Sequence, residues 1–140
     1  EGNLRIYSGS AVVDFANSSG FGTDRPPLVA IYTGHREESG TSQRVEDQRL
    51  AYSNDRGRTW THYPGNPVLD IGLPDFRDPK VFWHEQTKRW IMAVVLPMAT
   101  KIGLYASADQ TLDAPQRVRP GRCLAGSNYM GMPGLVFAGS

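Results

Sequence analysis

The sequence predicts an all-β chain of short strands joined by tight turns. Short apolar, β-branched and aromatic runs recur along it, and clusters of turn-forming residues separate them, in keeping with 15 Gly and 10 Pro. No stretch up to Ser107 carries the apolar spacing of a convincing helix. Short strands at near-regular spacing fit a sandwich, a barrel or a propeller, and a hydrophobic core alone does not choose among them.

The elements follow in order. Tyr7-Ser8-Gly9-Ser10-Ala11-Val12-Val13-Asp14 is β-branched with small residues at its front, a strand entered from a close backbone approach. Asn17 to Gly22 is a turn cluster. Leu28 to Thr33 is a continuous apolar run closed by Gly34, as expected of a central strand. His35 to Glu46 is polar and reads as a solvated loop, after which Gln48 to Ser53 alternates as a half-buried strand should. In Ser53-Asn54-Asp55-Arg56-Gly57-Arg58-Thr59-Trp60, Gly57 suits a left-handed turn position, Asp55 can accept from nearby backbone N–H groups, and Trp60 can fold back on the hairpin. This order resembles the Asp-box hairpin of sialidase-type propellers, whose role is to hold a turn. Asn66 to Asp70 is a loop leading to Leu73-Pro74-Asp75-Phe76-Arg77-Asp78-Pro79. Lys80 to His84, Arg89 to Leu96 and Lys101 to Ser107 are three further strands, the first two joined by the polar turn Glu85 to Lys88. From Gln110 to Ser127 the strand signals fade.

Composition narrows the function classes. The 140 residues suffice for one domain with a core, and 39% hydrophobic with 21% charged residues is typical of a globular protein. The formal net charge is +1 with scattered basic residues, so no nucleic-acid partner is expected. Cys123 is the single cysteine, which excludes an internal disulfide and a thiolate metal site. No run approaches the roughly 18 apolar residues of a membrane span, so no membrane partner is expected. Neither Glu1-Gly2-Asn3 nor the apolar run ending at Ser140 looks like a natural terminus, and the chain reads as an internal piece.

Few residues stand out as chemistry. Arg77 and Asp78 are adjacent charges before Pro79, which pushes Asp78 toward an extended or turn conformation. A bend there lets a carboxylate and a guanidinium fork hold sugar hydroxyls together. A structural ion pair at a strand entry accounts for the same residues. Ser8-Gly9-Ser10 offers hydroxyls beside a bare backbone, as a pocket wall for a small polyol needs, though an ordinary strand start would look alike. His35, His62 and His84 lack metal-ligand spacing, and no serine-nucleophile elbow, P-loop or dinucleotide fingerprint is present. Neither a metal nor a cofactor is expected.

Taken together, four stretches in order resemble glycoside hydrolase family 32, the invertases, inulinases, levanases and other β-fructosidases. They are Tyr7 to Asp14 (the family's Phe-Ser-Gly-Ser motif, with Tyr7 for Phe), Pro27 to Thr33, Ala51 to Trp60, and Asp75 to Trp83 with its Arg-Asp-Pro. The resemblance covers residues 1 to about 108. It implies part of a five-bladed β-propeller, about two blades, built of four-stranded antiparallel sheets around an axial pocket. Residues 1–108 are then a partial catalytic propeller domain, and 109–140 an irregular continuation. The implied chemistry is retaining hydrolysis of terminal β-fructosyl bonds in sucrose, inulin or levan, with one carboxyl as nucleophile and another as acid/base. Asp78 falls where the family has a third carboxylate that stabilises the transition state, while Tyr7, Ser8 and Arg77 would line the same subsite. The implied partner is a fructose-containing oligo- or polysaccharide, in an extracellular setting with a cytoplasmic one left open. Oligomeric state is not legible.

Two departures matter. The family's Asn-Asp-Pro-Asn-Gly nucleophile motif is absent from these residues, and Gly131-Met132-Pro133 has Gly where the family's acid/base Glu is expected. The chain alone is therefore expected to be inactive. A sialidase-like propeller and a non-catalytic carbohydrate-binding propeller are the competing readings.

Overall fold

A computed structural model describes residues 4–37 and 44–107. The expected changes at Gln110 to Ser127 and at Gly131-Met132-Pro133 lie outside the described residues.

Among the described residues, seven strands form two antiparallel sheets. The first runs β1 (Arg5–Val13), β2 (Leu28–Glu37), β3 (Arg44–Ser53) and β4 (Thr61–His62), side by side in chain order. The second runs β5 (Arg77–His84), β6 (Arg89–Leu96) and β7 (Lys101–Ser107), again in chain order, with a 3₁₀ turn at Pro97–Ala99. Of the four strands expected in each sheet, the second shows three among the described residues. Among the described residues no helix is long and apolar enough to cross a membrane.

Both sheets are simple meanders in strand order, and several of the described connections are turns that their residues favour. Between β1 and β2, Asp14 is fully buried and accepts from the Ser18 N–H at 3.0 Å and the Ser19 N–H at 2.8 Å, closing the Asn17–Gly20 turn. Burial alone would raise the Asp14 pKa, but the hydrogen bonds from Ser19 and Ser18 hold it below its usual value. Between β3 and β4 the hairpin expected from Asp55 and Gly57 is present. Asp55 accepts from the Thr59 N–H at 2.9 Å and the Thr59 hydroxyl at 2.7 Å, Gly57 has φ +83°, and the Trp60 indole donates to the Gly57 carbonyl at 3.1 Å.

The core lies between the two sheets. Val29, Ile31 and Leu50 from the first meet Val81, Trp90, Met92 and Val94 from the second, with Val68 and the fully buried Phe76 from the connecting loop. β5 packs against β1 and β2, so the first strands of the two sheets lie together, tied where the Val81 N–H donates to Ser10 Oγ at 3.1 Å. The Trp90 indole reaches back to Ser18 Oγ at 2.7 Å.

One expectation fails in part. The solvated loop expected over His35 to Glu46 does not hold at its two ends, since β2 runs to Glu37 and β3 starts at Arg44, with His35 7%, Glu46 2% and Asp47 0% exposed, while 38–43 lie outside the described residues. Charged and polar groups tolerate this burial only when paired. Glu46 Oε1 meets His35 Nδ1 at 3.2 Å, and Asp47 takes Arg49 Nε at 2.6 Å and Arg36 Nε at 3.3 Å.

Candidate active site

The candidate residues sit on two β-bulges. In β1, Ile6 pairs with Gly34 and Gly9 with Tyr32, so Tyr7 and Ser8 together stand opposite the single residue Thr33. In β5, Arg77 pairs with Val95 and Lys80 with Ala93, so Asp78 and Pro79 stand opposite Val94. A bulge bends its strand and re-aims side chains, and bulges are over-represented next to active sites. Proline fits the second bulge because it has no N–H for the ladder. The Arg77–Asp78 pair thus belongs to the strand itself, not to the loop before it.

Asp78 adopts φ +60°, the left-handed region that an aspartate visits more readily than most residues. Such a conformation costs about 1–3 kcal/mol and persists where its surroundings over-determine it. Here they do. The Asp78 N–H donates to Thr33 Oγ1 at 3.1 Å. Immediately upstream, the Phe76 N–H donates to Glu46 Oε2 at 3.0 Å, and the Phe76 carbonyl accepts from Gln48 Nε2 at 2.6 Å. Thr33, Glu46 and Gln48 are all buried.

The side chain that results is accessible, with 48% of the Asp78 side chain exposed. Arg77 lies between two carboxylates, its Nη1 3.5 Å from Asp75 Oδ1 and its Nε 4.0 Å from Asp78 Oδ2. These are loose, half-exposed contacts that contribute little to stability. Neither side chain is locked into a closed salt bridge, so both keep hydrogen-bonding capacity for a ligand. Tyr7 is 42% exposed and stacks on the His35 imidazole with 4.8 Å between ring centroids, while Ser8 is exposed beside it.

Gly9 marks the close backbone approach that the small residues at the front of this strand predict, and not the pocket wall that was the alternative. A Cβ there would collide with the Ile31 carbonyl oxygen and lie 2.8 Å from Tyr32 Cα. The bare backbone admits strand β2, not a sugar. Thr33, Glu46 and Gln48 are functional neighbours that no motif marks, and His35, which lacks metal-ligand spacing, joins them by stacking on Tyr7. The available signal was polar residues bordering apolar strand runs, which resembles ordinary solvated loop sequence until burial is known.

The profile of the Glycosyl hydrolases family 32 N-terminal domain matches residues 1–114. The chain belongs to glycosyl hydrolase family 32. Family relatives include the levanase of Bacillus subtilis (strain 168), 55% identical over 106 residues, 74% of this chain and 14% of the levanase. An invertase from Debaryomyces hansenii is 42% identical over 136 residues, 94% of this chain and 24% of the invertase. The chain therefore spans less than a quarter of the length of these two relatives. Among solved structures, the fructofuranosidase from Schwanniomyces occidentalis complexed with fructose is 42% identical with a TM-score of 0.72, over 79% of this chain and 21% of that one. The exo-inulinase from Aspergillus awamori is 35% identical with a TM-score of 0.71, over 79% of this chain and 25% of that one. The fold is that of part of the family 32 five-bladed propeller, and the Asp55 hairpin is a structural turn within it.

Proposed function

We propose that this chain forms the fructosyl-holding wall of a retaining glycosidase that cleaves terminal β-fructosyl bonds of sucrose or fructans such as inulin and levan. The observation that carries the reading is the Asp78 bulge: a half-exposed carboxylate held in a left-handed backbone conformation beside the bulge of Tyr7 and Ser8. Two neighbouring fructosyl hydroxyls donate to its two oxygens. As the glycosidic bond breaks and positive charge develops on the furanose ring, the fixed negative charge stabilises it. The Arg77 guanidinium donates to ring hydroxyls, and Tyr7 with Ser8 closes the other side of the subsite. The names of the relatives support the substrate class, since a levanase and an extracellular exo-inulinase are among them. The second of these also supports an extracellular site of action.

No Asn-Asp-Pro-Asn-Gly motif occurs in the 140 residues, and Gly131 has no proton to give, so the chain by itself is expected to hydrolyse nothing. Catalysis is therefore tested in Bacillus subtilis levanase carrying residues 4–107 of this chain in place of its own matching segment. Asp78→Asn in that host lowers kcat by about a hundredfold or more and changes KM by less than about threefold. A rise in KM at constant kcat would mean that Asp78 binds ground state and transition state alike, and the proposed role would fail. Gly131 favours a second reading, a propeller that holds fructans without cutting them. Inulin binding without release of fructose by the full-length protein, upstream and downstream segments included, is its signature.

A further inference from the structure

We infer that Thr33 is a positioning residue, whose hydroxyl sets the backbone of Asp78 and so the aim of its carboxylate. This rests on the reading of Asp78 as the carboxylate that holds the fructosyl ring. Thr33 is fully buried within β2, between Tyr32 and Gly34. A buried hydroxyl is costly unless it is hydrogen-bonded, and this one is bonded twice. It accepts from the Asp78 N–H at 3.1 Å and donates to Gln48 Oε1 at 3.4 Å. Pro79 has no N–H, so the Asp78 amide is the one backbone donor of that bulge, and Thr33 takes it.

Thr33 also stands opposite the Tyr7–Ser8 bulge in the β1–β2 register, so one residue adjoins both halves of the site. The connection continues through buried polar atoms. Gln48 holds the Phe76 carbonyl at 2.6 Å, Glu46 holds the Phe76 N–H at 3.0 Å and meets His35 at 3.2 Å, and His35 stacks on Tyr7. From Asp78 to Tyr7, each link is a hydrogen bond, a ring contact or the backbone from Asp78 to Phe76. With the Thr33 oxygen removed, the Asp78 amide loses its partner. The residue is then free to leave the left-handed region, which re-aims the carboxylate.

Two substitutions separate this role from packing. Thr33→Val keeps the volume and the branched Cβ but removes the hydroxyl, while Thr33→Ser keeps the hydroxyl. In the levanase host, compared at equal folded fraction by circular dichroism, Thr33→Val is expected to lower kcat by about tenfold to a hundredfold. KM moves by less than about threefold, and Thr33→Ser stays within about twofold of the parent. Asp78→Asn is measured beside them. A large loss of kcat there with parental kinetics in Thr33→Val overturns the positioning role alone, whereas parental kcat in Asp78→Asn overturns the reading of Asp78. Amide hydrogen exchange in the 140-residue chain gives a readout independent of activity. The Asp78 amide should exchange at least about tenfold faster in Thr33→Val and unchanged in Thr33→Ser. Equal protection in all three proteins would refute the inference.

Discussion

At Gly9, strands β1 and β2 approach more closely than a side chain permits. The atoms a Cβ would meet are the Ile31 carbonyl, Tyr32 Cα at 2.8 Å and Tyr32 Cβ at 2.9 Å, mostly backbone that cannot rotate away. Gly9→Ala must therefore push β1 off β2 next to the Tyr7–Ser8 bulge, and should destabilise the chain by about 1–3 kcal/mol. Urea denaturation should show a lower midpoint at unchanged slope, and an unaltered midpoint would mean that the strands can part freely. Asp78 is the opposite case. Its left-handed φ of +60° is a local strain that three buried side chains from β2 and β3 impose, and the exposed carboxylate is the outcome.

Among the elements, the hairpin between β3 and β4 has a titratable centre. Asp55 accepts from the Thr59 N–H, the Thr59 hydroxyl and the Ser53 hydroxyl, and these bonds lower its pKa from 3.8 to about 2. A carboxyl whose folded pKa lies below its unfolded one stabilises the fold above the unfolded value, and that contribution is lost as pH falls through the folded one. The window therefore runs from near 3.8 down to about 2. Asp55→Asn should lower the thermal midpoint most near neutrality, and the gap from the parent should close as pH falls through that window. A gap that is constant with pH would mean the Asp55 charge contributes nothing. The loop between β4 and β5 is moored differently. Asn66 uses its side-chain amide like a strand residue, accepting from the Leu50 N–H at 2.7 Å and donating to the Leu50 carbonyl at 2.8 Å. That mooring and the buried Phe76 fix where β5, and with it Asp78, enters the second sheet.

At the scale of the whole molecule, the core is the seam between the two sheets, and apolar side chains stand exposed on β1 and β7. Ile6 on β1 and Ile102 on β7 are each 58% exposed, and Leu104, on the same face of β7 as Ile102, is 37% exposed. Further blades of a five-bladed ring would cover such faces. Without that cover, apolar faces and open strand edges favour association. The isolated chain should sediment with a concentration-dependent mass, and Ile102→Lys with Leu104→Lys should shift it toward monomer. A monomer at all concentrations would show that these faces are content in water.

Local pattern carried much of the fold. Arg89–Leu96 and Lys101–Ser107 are the strands that β-branched and aromatic runs announce, and the Asp55 hairpin follows from turn chemistry, because these depend on neighbours in the chain. The family was legible too, since its motifs are contiguous. What the chain's local pattern did not disclose is non-local. Glu46, Gln48 and Thr33 lie 28 to 45 residues from the backbone groups they bond, and only the approach of β5 to β2 and β3 turns them from polar sequence into a buried clamp. Tertiary packing alone decided that His35 is buried and that a left-handed bulge presents Asp78 to the solvent. Each depends on which distant atoms fill the space around a residue, and a single strand's pattern does not encode that.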